Sequence, residues 1–321
     1  MGGVILPTEN VVALTMTPMK FGSGVTSEAG YELKRLGVKK ALMLTDRNIS
    51  EIGLAAKVKD IIEAEGVKVE VYDKVHYEPT DKAIEATFAD IKDIECDGFV
   101  ALGGGSTLDT TKAMRLLSRL PGASLLDHVN KPAGKGLPVP PDIKPMLAIP
   151  TTAGTGSEST PVVVLDVLDL KVKTGISSAS LRPSMALIDP LNTISCPPEV
   201  CMSVGLDVLC HAAESYTSRP FNARPRCASP GERPAYIGAN VISDMWSAKS
   251  IEFCGKYLVR AVLNPYDLEA KEAMLLASTF AGIGFGNAGV HIPHSLAYPL
   301  AGMIRDYVPQ GWKTDEVMVP H

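Results

Sequence analysis

Apolar and polar positions follow two distinct rhythms along the first half of the chain. Short apolar runs at Ala41–Leu44, Val67–Val71, Phe99–Leu102, Met146–Ile149, Val162–Leu165 and Met185–Ile188 have the length of buried strands. Between the earlier runs, apolar residues recur at helical spacing. Val25, Ala29, Leu33 and Leu36 share one face of a segment that Gly37 stops. Leu54–Glu65 repeats the pattern, with Ile61 and Ile62 inward and Gly66 closing it. Strands alternating with helices predict parallel β-α-β units. The Pro- and Gly-rich stretch Lys131–Pro145 predicts an irregular loop.

From about Pro197 the strand rhythm fades. Helical patterns cover Glu199–Tyr216, Ile242–Leu258, Leu268–Phe280 and Val290–Met303, interrupted by Arg219–Asn240 with its four prolines. The expected organisation is an α/β domain over residues 1–195 followed by an all-helical domain over 196–321. With 321 residues the chain is long enough for both.

Composition narrows the partners. A net charge of -5 gives no bulk attraction to a polyanion, so nucleic acid is not expected. No apolar run approaches the roughly 20 residues of a membrane span, so no membrane is expected either. The N-terminus has no charged-then-apolar leader pattern, and the expected compartment is the cytoplasm. Six cysteines without a C-x-x-C pair read as reduced, small interior residues.

Three features carry cofactor chemistry. Gly103-Gly104-Gly105-Ser106 follows the strand Phe99–Leu102 and opens a helix over Thr107–Leu117. Backbone N–H groups at such a turn can approach a pyrophosphate, although the spacing is not G-x-G-x-x-G and a plain tight turn is the alternative. Asp46, just past the strand Ala41–Leu44, can accept hydrogen bonds from ribose hydroxyls and would repel a 2′-phosphate; its alternative is a helix or turn cap. The acid precedes the glycine turn, so a variant of the ordinary dinucleotide topology is required. The stretch Pro150–Glu158, with Thr151, Thr152 and Thr155, suits a loop around a nicotinamide ribose, against the alternative of an exposed Ser/Thr loop.

A fourth feature carries metal chemistry. Asp207 and His211 are four apart on an apolar helix and project from one face. His291 and His294 lie downstream, and His321 ends the chain. Three imidazoles and one carboxylate suit a divalent first-row metal with open positions, iron(II) and zinc among them. Spacing alone does not choose between His291 and His294.

With these residues in place, the chain resembles the iron-containing alcohol dehydrogenase family, of the dehydroquinate-synthase-like fold. The matching motifs are Gly103-Gly104-Gly105-Ser106-x-x-Asp109, Pro150-Thr151-Thr152-x-Gly154-Thr155, Gly205-x-Asp207-x-x-x-His211 and His294-x-x-x-Tyr298-Pro299. The resemblance implies NAD(P), with NAD favoured, on the α/β domain and a metal held by Asp207, His211, His294 and His321. It also implies that Asp46, Asp109, Thr151, Thr152, Thr155 and Lys173 line the cofactor site. Iron(II) is the expected metal and zinc(II) the alternative.

Within the family the chain is most similar to the hydroxyacid-oxoacid transhydrogenase branch, through Asp207–His211, Arg233–Tyr236 and Gly282–His291. That implies oxidation of 4-hydroxybutyrate to succinate semialdehyde with 2-oxoglutarate as acceptor. Tyr298 stands where the simple-alcohol branch carries a second histidine. It can hydrogen-bond substrate or relay a proton, although its ordinary pKa of about 10 makes a phenol the poorer base. Arg219, Arg224, Arg226 and Arg233 suit a carboxylate-bearing substrate, and Arg233 is the first choice.

A plain NAD(P)-dependent dehydrogenase of simple alcohols is the second reading, and an inactive remnant is the third. The family continues beyond its last metal ligand, so a truncated product is expected. A small-molecule substrate and a homo-oligomer complete the expectations.

Overall fold

A computed structural model describes residues 8–304 and Tyr307. The predicted metal ligand His321 lies outside the described residues.

The described residues form eight strands: β1 (Met19–Phe21), β2 (Lys40–Leu44), β3 (Lys68–Tyr72), β4 (Gly98–Gly103), β5 (Met146–Pro150), β6 (Val162–Val167), β7 (Val172–Ser177) and β8 (Met185–Ile188). Six form one sheet in the order β1-β8-β5-β4-β2-β3, with every neighbouring pair parallel. Both faces are covered, as a parallel sheet requires. Along β2 the alternation is visible residue by residue. Leu42 and Leu44 join one apolar cluster with Phe99, Ala101, Met114 and Ile84, while Ala41 and Met43 join another with Val100, Leu102, Leu33 and Ile62.

The helices follow from that burial. α1 (Ala29–Arg35) and α3 (Leu54–Ala64) lie on one face, α4 (Asp81–Ile91) and α5 (Gly105–Arg119) on the other. The short α2 (Arg47–Glu51) precedes α3, and α6 (Leu125–His128) follows α5. β2 leads to α3 and the edge strand β3, whereas β4 leads to α5 and β5 on the opposite side. The strand order therefore reverses between β2 and β4, and a crevice opens beyond their carboxyl ends.

After β8 the chain is helical: α7 (Pro198–Thr217), α8 (Val241–Leu263), α9 (Leu268–Ala288) and α10 (Ile292–Met303). Pro198 sits in the first turn of α7, where its missing N–H costs nothing. Small residues of α9 (Ala270, Ala273, Ala277, Ala281) let it pack closely on Val208 and Ala212 of α7 and on Cys254 and Ala261 of α8. No single helix among the described residues is long and apolar enough to cross a membrane.

Several elements differ from the sequence expectation. Val162–Val167 is not in the parallel sheet but pairs antiparallel with β7, a strand whose polar face hid it. The three-residue β1 is too short to show a rhythm. α4 was not anticipated; Thr80 caps it by accepting from the Ala83 N–H at 3.0 Å. α9 runs past Phe280 to Ala288, because its glycines meet neighbours rather than break the helix. A Cβ on Gly282 would lie 2.5 Å from the Gly156 carbonyl oxygen.

Candidate active site

The crevice gathers the predicted cofactor residues. Gly103 pairs in register with Pro150, so the glycine turn after β4 and the hydroxyl loop after β5 leave the sheet side by side. They touch: a Cβ on Gly105 would lie 2.4 Å from Thr155 Cγ2, so this approach requires glycine. Gly104 faces Thr152 more loosely, with a Cβ position 3.2 Å from Thr152 Oγ1. Ser106 donates its hydroxyl to the Tyr77 carbonyl. Across the switch point, Asp46 follows β2, and Thr45 ties the two strand ends by donating to the Leu102 carbonyl at 2.8 Å.

Asp46 itself caps α2, accepting from the Ile49 N–H at 3.1 Å. The capping alternative is therefore realised, at a position that also borders the crevice. Burial raises its carboxyl above the usual range, against the backbone hydrogen bonds that lower it. Asp109 and Lys173 are turned to internal partners. The Asp109 carboxylate accepts from Lys112, from Ser157 and from the Val164 N–H. Lys173 donates to Glu78 and lies 3.3 Å from Asp166.

The second cluster is at the other wall. The ligating atoms of Asp207, His211 and His294 all lie within 4.8 Å of one another. Helix periodicity supplies the first two from one face of α7; the turn at Gly289, with φ of 102°, reverses the chain from α9 into α10 and delivers His294. Asp207 Oδ2 is 3.5 Å from His211 Nδ1, and Oδ1 is 3.6 Å from His294 Nε2. The two imidazoles stack at 4.6 Å, and Phe285 stacks on the far side of His211 at 4.1 Å.

Burial holds the His211 imidazole down to about 4, so it is neutral near pH 7. Burial also opposes charge on His294, but hydrogen bonds to Asp207 and Glu214 overcome it and lift the ring to about 9. His211 Nδ1 is buried and makes no hydrogen bond. A buried, neutral imidazole nitrogen without a donor to accept is costly in a protein interior. A cation between it, the carboxylate and His294 would satisfy it, so the donor set fits a divalent metal.

One residue of this centre was missed in the sequence. Glu214, almost fully buried, accepts from His294 Nδ1, and its other oxygen accepts from the His291 N–H at 2.6 Å. It lies seven residues after Asp207 and three after His211, on the same helical face, and that spacing was the available signal. His291 is turned away, its Nε2 2.9 Å from the Thr217 hydroxyl. Between the two histidines left open by spacing, the fold brings His294 to the cluster.

Tyr298, one turn beyond His294, presents its ring edge-on to that imidazole at 5.7 Å. Burial raises its phenol above the ordinary value, which suits a hydrogen-bond donor rather than a base. Arg233 is held by Glu9, with its Nε 3.0 Å from Oε2 and its Nη2 3.4 Å from Oε1. Arg224 donates to the Tyr236 carbonyl and Arg219 to the Ala223 carbonyl. The arginine loop thus has internal partners that its sequence did not reveal.

The two walls meet. A Cβ on Gly154, in the hydroxyl loop, would lie 2.5 Å from Val204 Cβ, three residues before Asp207 on α7. The hydroxyl loop and α7 are in direct contact.

Comparison with known proteins finds relatives over nearly the whole chain. The model of the iron-containing alcohol dehydrogenase family matches residues 17–190, and that of the Fe-containing alcohol dehydrogenase C-terminal domain matches 234–308. The mitochondrial hydroxyacid-oxoacid transhydrogenase of Bos taurus is 46% identical over 315 residues, covering 98% of this chain and 68% of that protein. An archaeal halo-thermophilic Red Sea brine pool alcohol dehydrogenase superposes with a TM-score of 0.82 at 27% identity, covering 93% of this chain and 70% of its own. Sulfoacetaldehyde reductase from Bifidobacterium kashiwanohense, solved in complex with NAD+, gives 0.78 at 30%, covering 92% and 72%.

Proposed function

The chain belongs to the iron-containing alcohol dehydrogenase family, and on that premise we propose that it is a hydroxyacid-oxoacid transhydrogenase. In this reading it oxidises 4-hydroxybutyrate and reduces 2-oxoglutarate on a retained nicotinamide cofactor. The observation that carries the chemistry is the buried Asp207–His211–His294 cluster beside a cofactor crevice. The similarity to a named transhydrogenase over nearly the whole chain supports the substrate class.

Asp207, His211 and His294 are proposed to hold the metal, with His321 as the fourth ligand. When bound, the metal supplies Lewis acidity to a substrate hydroxyl, and the nicotinamide supplies the hydride acceptor. The chain's own residues set the stage. Glu214 accepts from Nδ1 of His294, which keeps that nitrogen protonated, so that Nε2, on the Asp207 side, is the nitrogen that would give up its proton to bind the metal. Phe285 covers His211 and keeps water from its ring. Tyr298 is placed to donate to a substrate oxygen. The backbone N–H groups at Gly103–Ser106 and the hydroxyls of Thr151, Thr152 and Thr155 are proposed to receive the cofactor, and Asp46 to bind the ribose and so favour NAD. Lys173, fixed by its two carboxylates, would border that site. Iron(II) is the proposed metal, and the division between the two units is placed near residue 195.

Arg233 is proposed to recognise the substrate carboxylate, in exchange for Glu9. The curated relatives are named as mitochondrial, so the cytoplasmic expectation draws no support from them. A substrate panel tests the proposal. Turnover of 4-hydroxybutyrate should exceed that of 1-butanol and should rise with 2-oxoglutarate. Equal use of butanol, indifferent to the oxo acid, would assign a plain alcohol dehydrogenase instead.

A further inference from the structure

One fully buried lysine has no part in the chemistry described so far. Lys112, on α5 and about two turns beyond the cofactor-facing end, donates to Ser157 Oγ at 2.6 Å, Val162 O at 2.7 Å, Asp109 Oδ1 at 3.1 Å and Thr160 Oγ1 at 3.1 Å. Asp109, three residues earlier on the same face, accepts in addition from Ser157 Oγ and from the Val164 N–H at 2.9 Å. A buried ammonium is tolerated only with such a set of acceptors. Here the acceptors are drawn almost entirely from one stretch of chain, the end of the hydroxyl loop and the start of β6.

That stretch is gripped from the other side as well. Glu158, fully enclosed, accepts from Thr279 of α9 at 2.9 Å. The Gly156 N–H donates to Ser278 at 3.2 Å. Arg182 donates to the Ser159 carbonyl and to the Gly286 carbonyl near the end of α9. Upstream of this clamp lie Thr151–Thr155, which touch the glycine turn at Gly105 and the metal-ligand helix at Val204. Downstream along α9 lies the turn that delivers His294.

We propose that Lys112 is a positioning residue: through Ser157 and Thr160 it sets the hydroxyl loop at a fixed distance from the glycine turn, and so shapes the nicotinamide side of the cleft. Asp109 acts with it, as the acceptor that orients the ammonium, rather than through contact with a ligand. The inference rests on the dehydrogenase reading in that the loop is taken to receive the cofactor. A lysine that only stabilises the fold would change the folded fraction and leave the affinity of folded molecules alone. A positioning lysine changes that affinity and loosens the loop selectively.

The test uses Lys112→Met and the milder Ser157→Ala in the 321-residue chain. NADH affinity is read by fluorescence titration, and backbone order by hydrogen exchange over residues 151–160, with 40–44 and 199–217 as internal references. Lys112→Met should weaken NADH binding at least tenfold and Ser157→Ala by a smaller factor. Exchange in the loop should quicken by about tenfold or more, with the reference segments and the metal content as in the parent protein. Parental loop exchange with parental NADH affinity overturns the proposal. So does a uniform rise in exchange with unchanged affinity. Should Lys112→Met yield no folded protein, Ser157→Ala decides by the same criteria. A parent chain that binds no NADH, yet loosens selectively at the loop in the variants, removes the dehydrogenase reading and keeps the grip of Lys112 on the loop.

Discussion

Replacing Glu214 with glutamine should weaken metal binding by about ten- to a hundredfold while leaving the helices intact. The magnitude follows from what surrounds that carboxylate. Its oxygens accept from the His294 ring and from the His291 N–H, and in the interior no water replaces a lost partner. The amide of Glu214→Gln has one oxygen and one NH2, so one of those two donors must face another donor. A hydrogen bond to a charged group contributes about 1.5–3 kcal/mol. At about 1.4 kcal/mol per decade, its loss corresponds to roughly one to two powers of ten in an equilibrium constant.

The cost appears in metal affinity because residue 214 fixes which nitrogen of His294 is left to bind. A bound metal fixes Nε2 as the ligand and obliges Nδ1–H to point at residue 214. Competition against a chromophoric chelator at fixed pH measures the affinity, and far-UV circular dichroism checks the helices. An affinity within twofold of the parent value, with helicity preserved, would refute the reasoning.

Other perturbations test separate parts of the account. Asp207→Ala and His211→Ala should each remove stoichiometric metal by elemental analysis and abolish turnover, with NADH still bound; retained metal and full rate would contradict the ligand assignment. Asp46→Gly should narrow or reverse the preference for NAD over NADP in kcat/KM while, as a cap replaced by glycine, costing only about a few tenths of a kcal/mol of stability; an unchanged ratio removes the ribose role. Arg233 holds Glu9 down to about 2 from an ordinary 4.5, so the folded pKa is depressed and the pair stabilises the fold above that ordinary value and is lost as pH falls through about 2. Glu9→Gln should therefore lower Tm at pH 7 and make no difference once the pH is well below 2, and by freeing Arg233 it should lower KM for the hydroxy acid, whereas Arg233→Ala should raise it. A KM indifferent to both would confine Arg233 to structure.

Much of this architecture was legible in the residues because burial on both faces of a parallel sheet leaves long apolar runs. β2, β4, β5 and β8 announce themselves in that way, and the helical spacing of Asp207 and His211 placed both on one face of α7. What stayed hidden depends on contacts between distant segments. Nothing local in Gly282, Gly284 and Gly286 says that α9 continues through them; the close neighbours are the Gly156 backbone at Gly282 and the Ser247 hydroxyl at Gly284, both from distant segments.

The same holds for charges. Arg233 reads as a free guanidinium until Glu9, 224 positions away, is seen in its fork. Lys112 reads as an exposed helix lysine until its acceptors arrive from the far side of β5. Glu214 lay within reach of sequence reasoning, since a face that carries residues 207 and 211 also carries 214.

The central claim is that hydride moves from a hydroxy acid to an oxo acid on one retained cofactor. Incubating the metal-loaded protein with 4-hydroxybutyrate deuterated at its carbinol carbon, 2-oxoglutarate and a pool of unlabelled NADH tests it directly by mass spectrometry. The account predicts deuterium at the carbinol carbon of the product 2-hydroxy acid, undiluted by the free NADH. Deuterium appearing in the free NADH pool, with none passed undiluted to the oxo acid, would contradict it.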